Sequence, residues 1–133
     1  MSDLINIDDQ NQLVKSLYQK GHPLSVIKPF ERDIYLFSTY IAGTTHVTGI
    51  MDLEPTLQVG EPLNFYREPD NPYDKEAIVI KNQYEVKLGY IPRKDNVVFS
   101  RLMDAGKLLF GKIKSKERKG NYLSISIDIY LHE

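Results

Sequence analysis

The stretch Tyr122-Leu123-Ser124-Ile125-Ser126-Ile127-Asp128-Ile129-Tyr130-Leu131 is the clearest structural signal in the sequence. Aliphatic residues alternate along it with tyrosine, serine and aspartate. Because successive side chains of a β-strand point to opposite faces, the pattern predicts a strand with one buried and one exposed face. The residues expected in the core are Leu123, Ile125, Ile127, Ile129 and Leu131.

A second strand is predicted just before it, at about residues 107–116, and pairs with it across residues 117–121. Lys112, Lys114 and Lys116 share one parity, so a row of three lysines is expected on one face. Between positions 93 and 119 lie nine Lys or Arg and three acidic residues, giving +6, while the remainder carries −7. This asymmetry indicates a surface that faces a polyanion. A lysine-rich hairpin that protects an edge strand is the alternative.

The rest of the chain predicts further short strands. They are expected at residues 33–42 and 62–67, and as a hairpin of 76–81 with 84–91. Strands and helices do not alternate regularly along the chain, so the sequence does not indicate a parallel sheet. The expected fold class is therefore mainly β with one or two short helices, forming a small barrel or curled sheet.

Two helices are predicted beside these strands. One lies within residues 1–33, which we expect to form an N-terminal helical extension to a β-domain at 34–133. The other begins after Asp95, which is expected to cap it, and ends at Gly106. Its expected apolar face is formed by Val98, Phe99, Leu102 and Met103.

The composition favours one ordered domain of 133 residues with 41% hydrophobic content. The lack of cysteine excludes disulfides, thiolate metal sites and a cysteine nucleophile. His22, His46 and His132 have no metal-ligand spacing, and no nucleotide-binding or hydrolase motif occurs. We therefore expect no cofactor, no metal and no enzymatic activity. Since no membrane-spanning run or signal-peptide pattern is found, a soluble cytoplasmic protein is expected.

The segment between residues 67 and 77 is the most informative for function. Pro69 and Pro72 bracket two polar residues and stiffen a turn, which then presents Tyr73 and Asp74 beside a strand. A calcium loop is rejected because its glycine and its bidentate glutamate are missing. An ordinary hairpin turn with no binding role is the alternative.

The residue types favour recognition of single strands. Aromatic rings such as Tyr73 and His46 can stack on bases, while the basic segment 93–119 can neutralise phosphates. Asp74 repels phosphate, so it must face a hydrogen-bond donor. A base amine or a terminal sugar hydroxyl meets that need, which indicates the end of a strand.

Residues from about Tyr40 to Leu131 resemble the HIRAN domain family. The resemblance is carried by residues 42–49 (AGTTHVTG), 67–78 (REPDNPYDKEAI) and 88–93 (LGYIPR). It implies a modified OB-like β-barrel that binds the 3′ end of single-stranded DNA.

By the same resemblance, Asp74 would accept the hydrogen bond of the terminal 3′-hydroxyl and Tyr73 would stack on the terminal base. Asp70 and Asn71 would make polar contacts to the end nucleotide. Arg93 would contact a phosphate.

Four further positions match DNA-contacting positions of the family less closely. Tyr122 lies near an aromatic position that packs on DNA. His46 stands where a DNA-binding relative has tyrosine, Thr45 replaces a basic residue, and Tyr90 replaces a polar one. Imidazole still stacks, but with less area.

The sequence therefore predicts a non-enzymatic module that binds single-stranded DNA at 3′-hydroxyl ends, accessory to DNA repair or replication. Its expected partners are these ends and a helicase or other repair protein. One alternative is a protein-interaction module that docks a partner through Lys112, Lys114, Lys116 and the segment 1–33. A metal-dependent nuclease is the weaker alternative.

Overall fold

Six antiparallel strands form one curled sheet in the computed structural model, which describes residues 31–133. The order across the sheet is β1-β6-β5-β2-β3-β4. Two α-helices complete the domain: α1 is Ile50–Leu53, between 3-10 turns at Thr44–His46 and Glu54–Thr56, and α2 is Arg93–Asp104. The helix expected within residues 1–33 lies outside the described residues. The strands are β1 (Asp33–Tyr40), β2 (Pro62–Arg67), β3 (Ile78–Lys81), β4 (Lys87–Tyr90), β5 (Leu108–Lys119) and β6 (Tyr122–His132).

Strand β6 forms the centre of the core, as its alternation predicts. It pairs with β1 on one side and β5 on the other, so its inward side chains are flanked by those of both neighbouring strands. Leu123, Ile125, Ile127 and Ile129 are fully buried, whereas Leu131, near the end of the strand, is half-buried. The buried aliphatic residues of β2, β3 and β5 pack against this row.

A backbone bridge ties the free edge of β4 to the chain that follows β1. The Ala42 amide donates to the Tyr90 carbonyl at 2.8 Å, and the Tyr90 amide donates to the Ala42 carbonyl at 2.9 Å. Gly89 permits this approach, because a Cβ there would lie 2.4 Å from the Ala42 carbonyl oxygen. The sheet thus curls back on itself, and the predicted mainly β, OB-like class is confirmed.

A β-bulge in β5 contradicts the predicted row of lysines. Ile113 pairs with Ile127, but the next pair is Ser115 with Ser126, so Lys114 is the extra residue. Such an insertion reverses the parity of everything beyond it. Lys116 therefore lies opposite the buried Ile125 instead of sharing the outer face with Lys112.

Beyond the bulge, β5 holds the segment around α1 in place. The Lys116 ammonium lies 2.6 Å from the Glu54 carboxylate and also donates to the Glu54 carbonyl at 2.7 Å. Arg118 reaches the same carboxylate at 3.1 Å and donates to the Met51 carbonyl at 2.8 Å. Part of the predicted basic surface is thus used inside the domain.

Helix α2 begins three residues earlier than predicted. Its N-cap is Pro92, and Asp95 lies in the first turn, where its carboxylate accepts a hydrogen bond from the Thr39 hydroxyl at 2.8 Å. Val98, expected in the core, is 64% exposed. Phe99 is buried as predicted, and the predicted Leu102 and Met103 pack partly buried against the core, while the polar Asn96 and Ser100 are buried beside Phe99. Within residues 31–133, no helix combines the length and apolar character that crossing a bilayer requires.

Candidate functional site

A groove of about 680 Å³ opens where the loop between β2 and β3 meets β4 and the start of α2. Its walls come from residues 42–43, from the loop 68–77, from 87–91 and from 93–96. The predicted site residues that line it are Asp70, Asn71, Tyr73, Asp74, Tyr90 and Arg93. The fold brings these residues together, while their contacts with DNA stay a prediction.

Asn71 organises the turn that carries Tyr73 and Asp74. Its side-chain oxygen accepts hydrogen bonds from the Tyr73 amide at 2.8 Å and the Asp74 amide at 3.2 Å. Its side-chain nitrogen donates to Glu68 at 3.1 Å. This Asx turn, together with Pro72, fixes the backbone. Tyr73 is left 85% exposed at the groove.

Asp74 is held as an ionised carboxylate. One oxygen accepts from the Glu76 amide at 2.9 Å, and the other accepts from Asn96 at 2.8 Å, with Arg93 Nε 3.6 Å away. Burial acts to raise the pKa of Asp74, but these hydrogen bonds and the charges of Arg93 and Arg67 outweigh it, so the pKa lies below its ordinary value. Since a carboxylate has about four acceptor positions, Asp74 retains capacity for another donor.

Asn96 is a site residue that the sequence reasoning missed. It is 2% exposed and lies on α2, yet it lines the groove and holds Asp74. The spacing of Asn96, Phe99 and Ser100 places all three on one helix face. That spacing was the only signal in the sequence that Asn96 is buried. Its partner, Asp74, lies 22 residues away, so no local pattern links the two.

Two further links clamp the loop to α2. Glu76 accepts from the Ser100 hydroxyl at 2.7 Å and from Arg101 at 3.2 Å. Arg67 donates to the Ala77 carbonyl at 2.7 Å and to Asp104 at 2.9 Å. The loop therefore rests on a helix along its length, which favours a pre-formed groove over one shaped by its ligand.

Glu68, Tyr90 and Lys87 form a hydrogen-bonded wall of the groove. The Tyr90 hydroxyl donates to Glu68 at 2.8 Å, and the Lys87 ammonium donates to that hydroxyl at 3.1 Å while lying 4.5 Å from the ring centroid. Burial acts to raise the pKa of Glu68, but the hydrogen bonds from Tyr90 and Asn71, with nearby lysines, hold it below its ordinary value. Glu68 and Lys87 are not among the predicted DNA-binding residues, because only the folded chain brings them together through Tyr90.

Thr45, His46 and Tyr122 are not among the residues that line the groove. Thr45 and His46 lie in the 3-10 turn that begins beside Gly43, a groove residue. The Thr44 hydroxyl donates to the Leu123 carbonyl at 2.8 Å, which brings this turn next to the start of β6. Thr45 and His46 thus follow a groove residue in the chain, and Tyr122 precedes Leu123, which this turn contacts.

Across residues 31–133, no group of three or more His, Asp or Glu side chains is arranged to hold a metal ion. The groove carboxylates of Glu68 and Asp74 accept hydrogen bonds from neighbouring side chains and from the Glu76 amide. What this site offers a ligand is an exposed ring, an ionised acceptor and nearby cations.

The fold and the groove together define a small OB-like domain with a loop-walled groove. A family model, the HIRAN domain, matches residues 34–133. The chain therefore belongs to the HIRAN domain family.

The curated relatives are much longer proteins. The chain is 32% identical over 77 residues to the helicase-like transcription factor of Mus musculus, covering 56% of this chain and 7% of that protein. It is 34% identical over 74 residues to the protein of the same name from Oryctolagus cuniculus, with the same coverage of 56% and 7%. The chain thus corresponds to a small part of these relatives.

Solved structures share the fold. A Lactobacillus plantarum protein aligns with a TM-score of 0.72 and 28% identity over 77% of this chain and 98% of that one. The HIRAN domain of human HLTF gives 0.58 and 19%, covering 75% and 78%. The HLTF HIRAN domain in its DNA-bound conformation gives 0.51 and 17%, covering 74% and 78%.

Proposed function

We propose that this protein binds single-stranded DNA and holds a 3′-hydroxyl end in the groove. The observation that carries the proposal is one rigid turn on which an exposed aromatic ring, Tyr73, stands beside an ionised carboxylate, Asp74. Further support comes from membership of a family in which the HLTF domain has a DNA-bound conformation.

The chemistry of the end explains the pairing of these two groups. Tyr73 stacks on the terminal base, and Asp74 accepts the hydrogen bond of the 3′-hydroxyl. An internal phosphodiester would bring negative charge against Asp74 and offer no donor. Arg93 and Lys87, which line the same groove, neutralise the preceding phosphate.

The wider role proposed is that of an accessory module without catalytic activity, acting in DNA repair or replication in the cytoplasm. In this proposal residues 34–133 form the DNA-binding barrel. A helicase or another repair protein is the proposed partner. The proposed repair role and helicase partner are supported by the resemblance to a segment of helicase-like transcription factors.

The alternative of a protein-docking face formed by Lys112, Lys114 and Lys116 loses support. Lys116 is engaged with Glu54, and the bulge at Lys114 removes the common face. The dependence of affinity on salt concentration distinguishes DNA binding from protein docking. DNA binding weakens by roughly 0.7 log units per log unit of salt for each phosphate neutralised.

Fluorescence anisotropy with 5′-labelled oligonucleotides tests the proposal. Oligonucleotides ending in a 3′-hydroxyl should bind more tightly than the same sequences ending in a 3′-phosphate. Equal affinity for the two ends would contradict end recognition, and absence of binding would contradict DNA binding altogether. Cleavage of the oligonucleotide with magnesium or manganese, lost in Asp74→Ala, would favour the nuclease alternative.

A further inference from the structure

Tyr40 lies just outside the groove. It is the last residue of β1 and stands two residues before Ala42, which lines the groove, while Ile41 between them is buried in the core. Because side chains alternate along an extended chain, Tyr40 and Ala42 project to the same side, with about 7 Å between their positions. The Tyr40 ring is 41% exposed and therefore available to a ligand.

Lys94 lies over the Tyr40 ring and directly follows Arg93, a groove residue. Its ammonium is 5.5 Å from the ring centroid. Its neighbour Arg93 lines the groove, where Nε lies 3.6 Å from Asp74. No salt bridge within residues 31–133 engages Lys94, unlike Arg93, Arg101 and Lys116. Tyr40 and Lys94 thus form an exposed aromatic and cationic pair that adjoins the groove residues Ala42 and Arg93 in the chain.

We infer that Tyr40 and Lys94 form a second nucleotide subsite, which receives the nucleotide on the 5′ side of those held in the groove. This inference rests on the proposed function. A strand whose 3′ end contacts Asp74 has to leave the groove somewhere, and its phosphates are repelled where Asp70 lines the wall. The exit past Arg93 and Lys94 is cationic.

The chemistry of the pair suits this role. An exposed contact between an ammonium and an aromatic face contributes little, so Lys94 can turn to a phosphate at small cost. The uncovered face of Tyr40 is then free to stack on a base. Since every base has a π-face, the subsite is expected to tolerate any sequence.

Affinity as a function of oligonucleotide length tests the subsite. Wild type is compared with Tyr40→Leu, Tyr40→Phe and Lys94→Gln, using a thymidine dinucleotide and an oligothymidylate of about ten nucleotides, both ending in a 3′-hydroxyl. Anisotropy competition gives each affinity, and thermal melting verifies that each variant is folded. The matched controls are Tyr84→Leu, in the exposed loop between β3 and β4, and Lys107→Gln, beyond the far end of α2.

Tyr40→Leu should bind the longer strand at least about fivefold more weakly than wild type, yet bind the dinucleotide equally well. Tyr40→Phe should match wild type, and Lys94→Gln should lower the salt slope for the longer strand by about 0.7. If Tyr40→Leu and Lys94→Gln bind both lengths as wild type does, the subsite is refuted and the groove proposal stands. An equal loss at both lengths also refutes it, because Tyr40 then acts on the groove. Absence of binding by wild type overturns both.

Discussion

The Asn71 side chain fixes the turn that carries Tyr73 and Asp74. The prolines at 69 and 72 predict stiffness, but it is the Asn71 side chain that accepts the amides of Tyr73 and Asp74. The ring and the carboxylate are therefore positioned before any ligand arrives. Pre-organisation of this kind reduces the entropy that binding has to overcome.

Replacing Tyr73 with alanine should weaken DNA binding by about 1–3 kcal/mol, because the terminal base loses its stacking partner. Tyr73 is 85% exposed, so the fold should be unaffected, which a thermal melt would verify. Tyr84→Ala is the matched control, since this tyrosine is 77% exposed in the loop between β3 and β4. Anisotropy measurements in which both variants lose the same affinity would argue against a specific role for Tyr73.

At the scale of elements, the bulge in β5 divides the predicted basic surface into two parts. Lys112, before the bulge, lies opposite Asp128 and over the Tyr130 ring at 4.9 Å. Lys116 and Arg118, after it, hold Glu54 and the carbonyls near α1. A count of positive charges in the sequence therefore overstates what β5 offers to a polyanion.

Glu54→Gln should lower the melting temperature more than the control Glu117→Gln, whose carboxylate is 68% exposed and 3.8 Å from Lys119. The hydrogen bond from Lys116, aided by the charges of Lys116 and Arg118, outweighs partial burial and holds the pKa of Glu54 below its ordinary value. The stability from this contact is thus present above the ordinary pKa of glutamate and is lost as the pH falls through the lowered, folded-state value. The difference between wild type and Glu54→Gln should shrink in acid; a difference that is constant with pH would contradict this account.

At the scale of the whole molecule, closure of the sheet forms one wall of the groove. The backbone bridge between Ala42 and Tyr90 joins the two ends of the strand order, and both residues line the groove. The fold and the site therefore depend on the same contact.

Gly89→Ala tests that dependence. A Cβ at this position would lie 2.4 Å from the Ala42 carbonyl oxygen and 2.6 Å from Ile41 Cγ2, so the bridge must open. The substitution should destabilise the fold by about 1–3 kcal/mol in chemical denaturation. It should also weaken DNA binding under conditions where the variant is still folded. Full DNA affinity in a destabilised variant would separate the bridge from the groove.

Local patterns in the sequence predicted much of this molecule, and long-range contacts account for the rest. The alternation of β6 identifies its buried face, since a central strand repeats every two residues. The parity count in β5 was wrong because a bulge leaves no signature in residue types. Asn96 and the bridge at Ala42 were missed because their partners, Asp74 and Tyr90, are distant in the chain.

The most direct test of end recognition is the ratio of affinities for 3′-hydroxyl and 3′-phosphate oligonucleotides, measured by anisotropy in wild type and in Asp74→Asn. Asparagine keeps the shape and can still accept from the Glu76 amide, while its NH2 group takes the place of the oxygen that accepts from Asn96, so the Asn96 amide has to flip and accept. The charge that repels phosphate is gone. We expect a clear preference for the hydroxyl end in wild type and a ratio close to one in Asp74→Asn. An identical ratio in the two proteins would contradict the role assigned to Asp74.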